Sequence, residues 1–176
     1  HRGEEMLRVC LESVLACAGV DLRVVLVANG GDEALPAIAL ADPRVHPLRL
    51  DRGVGFAEAN NLGVAWARRH LGPADAYYFL NNDTESSPGS LAALVAVLDE
   101  APRCAVVGPM LRIQWAPDHL TSLGLNVTAD AWAWDEGIGI ALAGYGPVPG
   151  RRPVLAVTGS ALLMRAAAFE RVGGWS

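Results

Sequence analysis

The side chains best suited to chemistry are Asn81, Asn82 and Asp83, two amides and a carboxylate that directly follow the apolar run Tyr77-Tyr78-Phe79-Leu80. A short aromatic and apolar run bounded by turn formers predicts a buried strand, and Ser87-Pro88 beyond it predicts the start of a helix. Asp83 then lies just past a strand's carboxyl end, the edge of an open parallel sheet at which ligands bind. In one reading its carboxylate faces a substrate or holds a metal. In the other it forms an Asx-turn that merely closes the strand. Local sequence leaves both open.

Gly53-Val54-Gly55-Phe56-Ala57-Glu58 precedes a helical pattern and invites a dinucleotide-binding reading. Glu58 stands where close helix and strand packing wants Gly or Ala, and a carboxylate there repels a pyrophosphate, so the match is weak. Asn60 and Asn61 are consecutive amides in the first turns of that helix. A rotation of about 100° per residue keeps them from facing the same way. One therefore caps or bonds a neighbouring loop, or Asn60 points at a ligand over the sheet edge. His1, His46, His70 and His119 are scattered without ligand spacing, which argues against zinc. Asp135-Glu136 reads as a solvated turn. Cys10, Cys17 and Cys104 read as thiols of a reducing compartment, and on one helix Cys10 and Cys17 stand about 10 Å apart axially, too far for a disulfide.

The chain has 176 residues, enough for one domain with a real core. With 52% hydrophobic and 19% charged residues it is a folding chain, and a net charge of -5 argues against non-specific nucleic-acid binding. No stretch approaches the roughly 18 uninterrupted apolar residues of a membrane span. The opening residues do not read as a basic-then-apolar leader. Asn126-Val127-Thr128 matches a glycosylation sequon without a secretory context.

Several elements must position these residues. Residues 4 to 18 place Leu7, Leu11, Val14, Leu15 and Ala18 on one helical face, with Glu4 and Glu5 at the favourable end of the dipole. Leu22 to Ala28 predicts a strand buried on both faces, closing in the turn Asn29-Gly30-Gly31-Asp32. A short helix over Leu35 to Leu40 and an edge strand over Val45 to Leu50, marked by Pro47, come next. The second long helix carries Ala59, Leu62, Gly63 and Trp66 on one face and stops at Gly72-Pro73. After the strand at 76 to 80, a helix from Pro88 turns Leu91, Leu94, Val95 and Leu98 inward, and Ala105 to Val107 predicts another strand. Alternating helices and strands predict parallel strands with right-handed crossovers. From about Gln114 to Arg152 periodicity is lost, which predicts a long irregular insertion, functional or mobile, with room for one hairpin. Val154 to Val157 and Ala161 to Met164 resume strand character around Thr158-Gly159-Ser160. A short helix over Ala166 to Arg171 leads into Val172-Gly173-Gly174-Trp175.

Four blocks in order carry a resemblance. Val24-Val25-Leu26-Val27-Ala28-Asn29-Gly30-Gly31 is similar to a strand ending in Asp-Asn-Gly-Ser. Gly55-Phe56-Ala57-Glu58-Ala59-Asn60-Asn61-Leu62-Gly63 is similar to Gly-Phe-Ala-x-x-Asn-Asn-x-Gly. Phe79-Leu80-Asn81-Asn82-Asp83-Thr84 corresponds to the Leu-Asn-Pro-Asp-Thr form of a D-x-D motif. Val157-Thr158-Gly159-Ser160-Ala161 through Phe169, with Val172-Gly173-Gly174-Trp175, is similar to a Thr-Gly-Ala block closing in Val-Gly-Gly-Phe. Together they resemble the family 2 glycosyltransferases, in particular the rhamnosyltransferase-like branch with the GT-A fold.

The resemblance implies an α/β domain, a Rossmann-like, mostly parallel sheet flanked by helices, with the insertion near 114–152. Residues 1–113 would be the nucleotide-sugar-binding part and 114–176 the acceptor-side part of a single domain. The implied activity is transfer of a sugar from a UDP- or dTDP-linked donor to an acceptor hydroxyl with inversion, in cell-surface polysaccharide or glycan assembly. A divalent metal, magnesium or manganese, would be anchored by Asp83, with Asn81 replacing the first acid of the motif. Such ions take few protein ligands when phosphates supply the rest. Asn29, Gly55, Phe56, Asn60, Asn81 and Asn82 would border the nucleotide-sugar. Thr158, Gly159, Ser160 and Trp175 would line the acceptor side. Ala28 departs from the pattern, standing where an aspartate usually recognises the base. The acceptor would be a glycan or a lipid-linked sugar, with no nucleic-acid partner. The site of action would be cytoplasmic, at the inner face of the membrane through parts not in this chain.

Two further elements of the resemblance fall outside residues 1–176. A central apolar strand is expected before His1, and its absence from a sheet leaves two neighbours unpaired. The catalytic base is expected in a Glu-Asp pair after Ser176, so no catalytic residue is assigned and this stretch alone is expected to transfer sugar poorly or not at all. Two other readings stand beside the transferase: a non-catalytic sugar-nucleotide-binding module on the same fold, and a Rossmann-type oxidoreductase.

Overall fold

The structure is a computed structural model that describes residues 2–31, 34–146 and 150–176. Asp32, which closes the first expected turn, His1, and residues 147–149 of the insertion lie outside them. The order is α1 (Arg2–Leu15), β1 (Val24–Asn29), α2 (Ala37–Ala41), β2 (Val45–Leu50), α3 (Phe56–His70), β3 (Ala76–Leu80), α4 (Ser90–Glu100) and β4 (Val106–Val107). The insertion follows with β5 (Leu111–Ile113), β6 (Ala116–Ser122), β7 (Leu125–Val127), β8 (Ala133–Asp135) and α5 (Leu142–Tyr145), before β9 (Ala161–Arg165) and α6 (Ala166–Val172). The architecture is α/β.

β1 and β2 pair in parallel, with Leu26 opposite Pro47, and Pro47 is tolerated because β2 is an edge. Beyond that pair the sheet is mixed, with β3 and β4 running in one direction and β9 against both. β9 runs antiparallel between β3 and β4, so the chain re-enters the sheet after the insertion by direct strand pairing, with no parallel crossover. Val154 to Val157 is not a strand; the segment makes one isolated bridge, Leu125 to Ala156. The insertion is more ordered than expected, with two antiparallel hairpins, β5-β6 and β7-β8.

Among the described residues, no strand pairs with the second edge of β1 or of β3. A cleft of about 1410 Å³ runs between the two, lined by every residue of both strands. These open edges stand where the resemblance expects a strand between two neighbours.

The apolar faces gather into three clusters. Leu11, Val14 and Leu15 of α1 pack on Ala39 and Val45, and Leu91, Leu94 and Leu98 of α4 pack on Cys17 and Leu163. Tyr77, Phe79, Leu162 and Phe169 form the third, with Phe79 only 5% exposed. Truncating such a phenylalanine costs about 3–5 kcal/mol, so this cluster fixes the β3-β9 register beneath the turns. Cys10 and Cys17 are buried free thiols. Arg165, at the end of β9, ties that strand to the end of α4 by donating from Nε to the Cys104 carbonyl at 2.8 Å and from Nη2 to the Leu98 and Ala101 carbonyls. It thereby satisfies carbonyls that a helix end leaves without intrahelical partners.

Candidate functional site

Antiparallel pairing of β3 with β9 sets Leu80 opposite Ala161, so the Asn81-Asn82-Asp83 turn and the Thr158-Gly159-Ser160 turn leave the sheet side by side. The Asn81 N–H donates to the Ser160 carbonyl at 2.9 Å. The Asn81 carbonyl accepts from the Thr84 hydroxyl at 2.6 Å and from the Cys10 thiol at 3.4 Å, which seats the turn on α1. Burial pushes the Cys10 thiol upward, against hydrogen bonding with Thr84. Thr158 Oγ1 accepts from the Ser160 N–H at 3.4 Å and closes its own turn.

Asp83 and Asn82 project outward and are exposed. Among the described residues the Asp83 side chain makes no hydrogen bond or ion pair, and no three His, Cys, Asp or Glu side chains gather as a metal site. One unpaired carboxylate at a strand's end fits a hard divalent ion only where other oxygens complete its shell, as those of a diphosphate do.

The remaining blocks converge on the same end of β3. Asn29 closes β1 and clamps the loop before α3, its Nδ2 donating to the Val54 carbonyl at 2.8 Å and its Oδ1 accepting from the Val54 N–H at 2.9 Å. Gly30 follows at φ +79°, and a Cβ there would meet the Gly53 nitrogen at 2.2 Å, so only glycine lets the two loops cross. Phe56, half exposed, approaches Gly159 and stacks edge-on to Trp175 at 5.9 Å. Trp175 also meets Phe79 edge-on at 5.1 Å. Its ring is thus part of the packing under the turns and borders an apolar cavity of about 350 Å³ with Val106, Ala156, Val157 and Met164.

The two adjacent amides divide their work. Asn60 donates back to the Phe56 carbonyl in its own helix at 2.8 Å and lines the cleft between β1 and β3. Asn61 is the residue that bonds a neighbouring loop: its Nδ2 donates to the Trp175 carbonyl at 2.8 Å and its Oδ1 accepts from the Trp175 N–H at 2.9 Å. Sequence reasoning left Asn61 out of the site. The Asn-Asn pair was the only signal, and which of the two turns inward follows from helix phase. Asn29, Phe56, Asn60, Asn81 and Asn82 all line one cleft. Ala28 lines it too and contributes no carboxylate.

Glu136 differs from the expected solvated turn. It accepts from Arg152 Nη2 at 2.5 Å and from the Tyr145 hydroxyl, and these partners, Arg152 first, hold its carboxyl below the usual range. It ties the insertion together.

Residues 1–171 match glycosyl transferase family 2. Two curated relatives from strains of Mycobacterium tuberculosis, each named N-acetylglucosaminyl-diphospho-decaprenol L-rhamnosyltransferase, are 28% identical over 169 residues, covering 88% of this chain and 55% of theirs. The succinoglycan biosynthesis protein ExoO of Rhizobium meliloti is 43% identical over 60 residues, covering 33% of this chain and 17% of its own. The chain spans about half the length of the first two relatives, 55%. It belongs to glycosyl transferase family 2.

Proposed function

We propose, from membership of this family, that the chain binds a nucleotide-diphospho-sugar at the cleft mouth and serves transfer of the sugar to an acceptor hydroxyl in polysaccharide or glycan assembly. The observation that carries the reading is the set of contacts that joins the candidate loops, Asn29 with Val54, Phe56 beside Gly159 and Asn81 with Ser160, with the Asp83 carboxylate free of partners among the described residues. The relatives' names favour a rhamnosyl donor, hence a dTDP- or UDP-linked sugar, and a lipid-linked acceptor. The GT-A fold, inversion, and action on the cytoplasmic side of a membrane belong to the same reading. Among the described residues no helix is long and apolar enough to cross a membrane.

In this mechanism Asp83 would hold a magnesium or manganese ion, which supplies charge neutralisation for the departing diphosphate. The Asn81 amide orients a phosphate or ribose oxygen from its place beside Ser160. Phe56 gives the donor an apolar wall, and the Gly30 and Gly53 crossing lets backbone approach the nucleotide closely. Thr158 and Ser160 offer hydroxyls on the acceptor side. With Ala28 in place of an acid, base recognition falls to backbone groups around Asn29. No residue of the chain is assigned as the base that takes the acceptor proton.

Calorimetry with UDP and dTDP, with and without manganese and repeated on Asp83→Ala, tests the proposal. Metal-dependent binding that drops at least tenfold in the variant is expected. Binding indifferent to both metal and variant, or binding of a nicotinamide cofactor in its place, would overturn it.

A further inference from the structure

The hairpin β7-β8 carries an aromatic face that the cleft does not use. Its register sets Asn126 opposite Trp134, and the bond from the Thr128 N–H to the Trp132 carbonyl at 2.9 Å extends the pairing by one step. Residues two apart on a strand share a face, so Trp132 and Trp134 stand together about 7 Å apart along it, with Asn126 and Thr128 across from them. Both indoles are exposed, Trp132 at 73% and Trp134 at 51%.

This face is held open by its own turn. Ala131 has φ +66°, the one positive φ of a residue other than glycine among those described. An alanine in this left-handed conformation is strained, yet it completes the three-residue loop, residues 129–131, between Thr128 and Trp132, the residue before β8. Thr128 Oγ1 accepts from the Trp132 N–H at 3.1 Å and donates to Asp130, which locks the loop. Thr128 is therefore occupied. The Asn126 amide makes no side-chain hydrogen bond among the described residues.

We infer that Trp132 and Trp134 form a stacking platform for the saccharide part of the acceptor, an inference that rests on the sugar-transfer reading above. Two flat indoles meet the C–H faces of neighbouring pyranose rings, while the free Asn126 amide and the Asp130 carboxylate at the loop offer partners for ring hydroxyls. Pyranoses with equatorial substituents present the needed C–H faces on both sides. The hairpin has Asp130 and Asp135 and no basic residue, which favours a neutral sugar over an anionic lipid surface. The platform is also continuous with the candidate acceptor side. At the foot of β7 the Leu125 N–H donates to the Ala156 carbonyl at 2.8 Å, two residues before Thr158. The backbone path from Trp132 to Thr158 is on the order of 20 Å, within reach of a short oligosaccharide.

The test is a titration of the whole chain with cellotetraose and chitotetraose, read from the two indole N–H resonances of Trp132 and Trp134 by NMR, with Trp132→Ala and Trp134→Ala giving the assignments. Movement of both resonances is expected, with at least tenfold weaker binding in the double variant and unchanged manganese-dependent UDP or dTDP binding. The inference is overturned if neither saccharide moves them, if the double variant binds as well as the parent, or if only anionic phospholipid vesicles move them. The nucleotide arm separates the two claims: saccharide binding without nucleotide binding would sink the transferase reading and with it the acceptor role, leaving saccharide stacking on the two indoles as a separate finding.

Discussion

The Asn81 N–H meets the Ser160 carbonyl at 2.9 Å, one step beyond the Leu80 and Ala161 pair that ends the β3-β9 ladder. This bond joins two turns that are far apart in sequence and makes the metal-side and acceptor-side candidates neighbours. Because the backbone of Asn81 is fixed while its side chain makes no hydrogen bond among the described residues, the position can be varied without disturbing the ladder. Asn81→Asp would supply a second hard oxygen ligand beside Asp83. Manganese-dependent binding of UDP or dTDP is expected to tighten about tenfold, by analogy with sites tuned by ligand charge, with the unfolding midpoint unchanged. Calorimetry on the variant decides it, and weaker binding would show that the amide itself donates to a phosphate.

The clamp from Asn61 to Trp175 makes a separate prediction about stability. Asn61→Ala leaves the Trp175 N–H and carbonyl without partners in a half-buried setting, a loss of about 1–3 kcal/mol. Urea unfolding followed by tryptophan fluorescence would measure it. Asn60→Ala removes only a bond within α3, so it should cost less than half as much. Equal losses would contradict the division of labour between the two amides.

How far these features were legible follows from their physical origin. Apolar runs and turn formers announce β1, β3 and the helices outside the insertion because burial and backbone chemistry are local; of the expected inward residues of α4, Leu91, Leu94 and Leu98 are buried and Val95 is partly buried. The four site blocks were legible as segments, and their meeting through the Asn81 to Ser160 bond and the Phe56 to Trp175 contact depends on pairing that no local pattern encodes. The direction of β9 is not encoded locally for the same reason: Ala161 to Met164 reads as a buried strand whichever way it runs. Val154 to Val157 has the composition of a strand but only one bridge to pair with. Glu136 looked like a solvated carboxylate because Tyr145 and Arg152 reach it from 9 and 16 residues away.

The open edges of β1 and β3 predict an exchange pattern. Along a strand, successive N–H groups point to alternate sides, so those of β1 facing β2 and those of β3 facing β9 are paired while the others face the cleft. Hydrogen exchange on this chain should therefore alternate along Val24–Asn29 and Ala76–Leu80, with protection on every second amide. Uniform protection of both strands would mean that something pairs with the edges in solution, and self-association through them would be the first candidate to check by light scattering.

The ion-paired Glu136 gives the insertion a pH dependence whose sign is set by the direction of its shift. Its carboxyl is held below the usual range by Arg152 and Tyr145. A group depressed in the folded state contributes stability that is fully present above its unfolded value and is lost as pH falls through its folded value. Loss should begin near the unfolded glutamate value of about 4.3 and continue below it. Glu136→Gln removes the titration and the charge, so stability at neutral pH should fall while its acid dependence flattens. Urea unfolding at a series of pH values, parent against variant, measures both, and parallel curves would show that the bridge to Arg152 does not couple to folding.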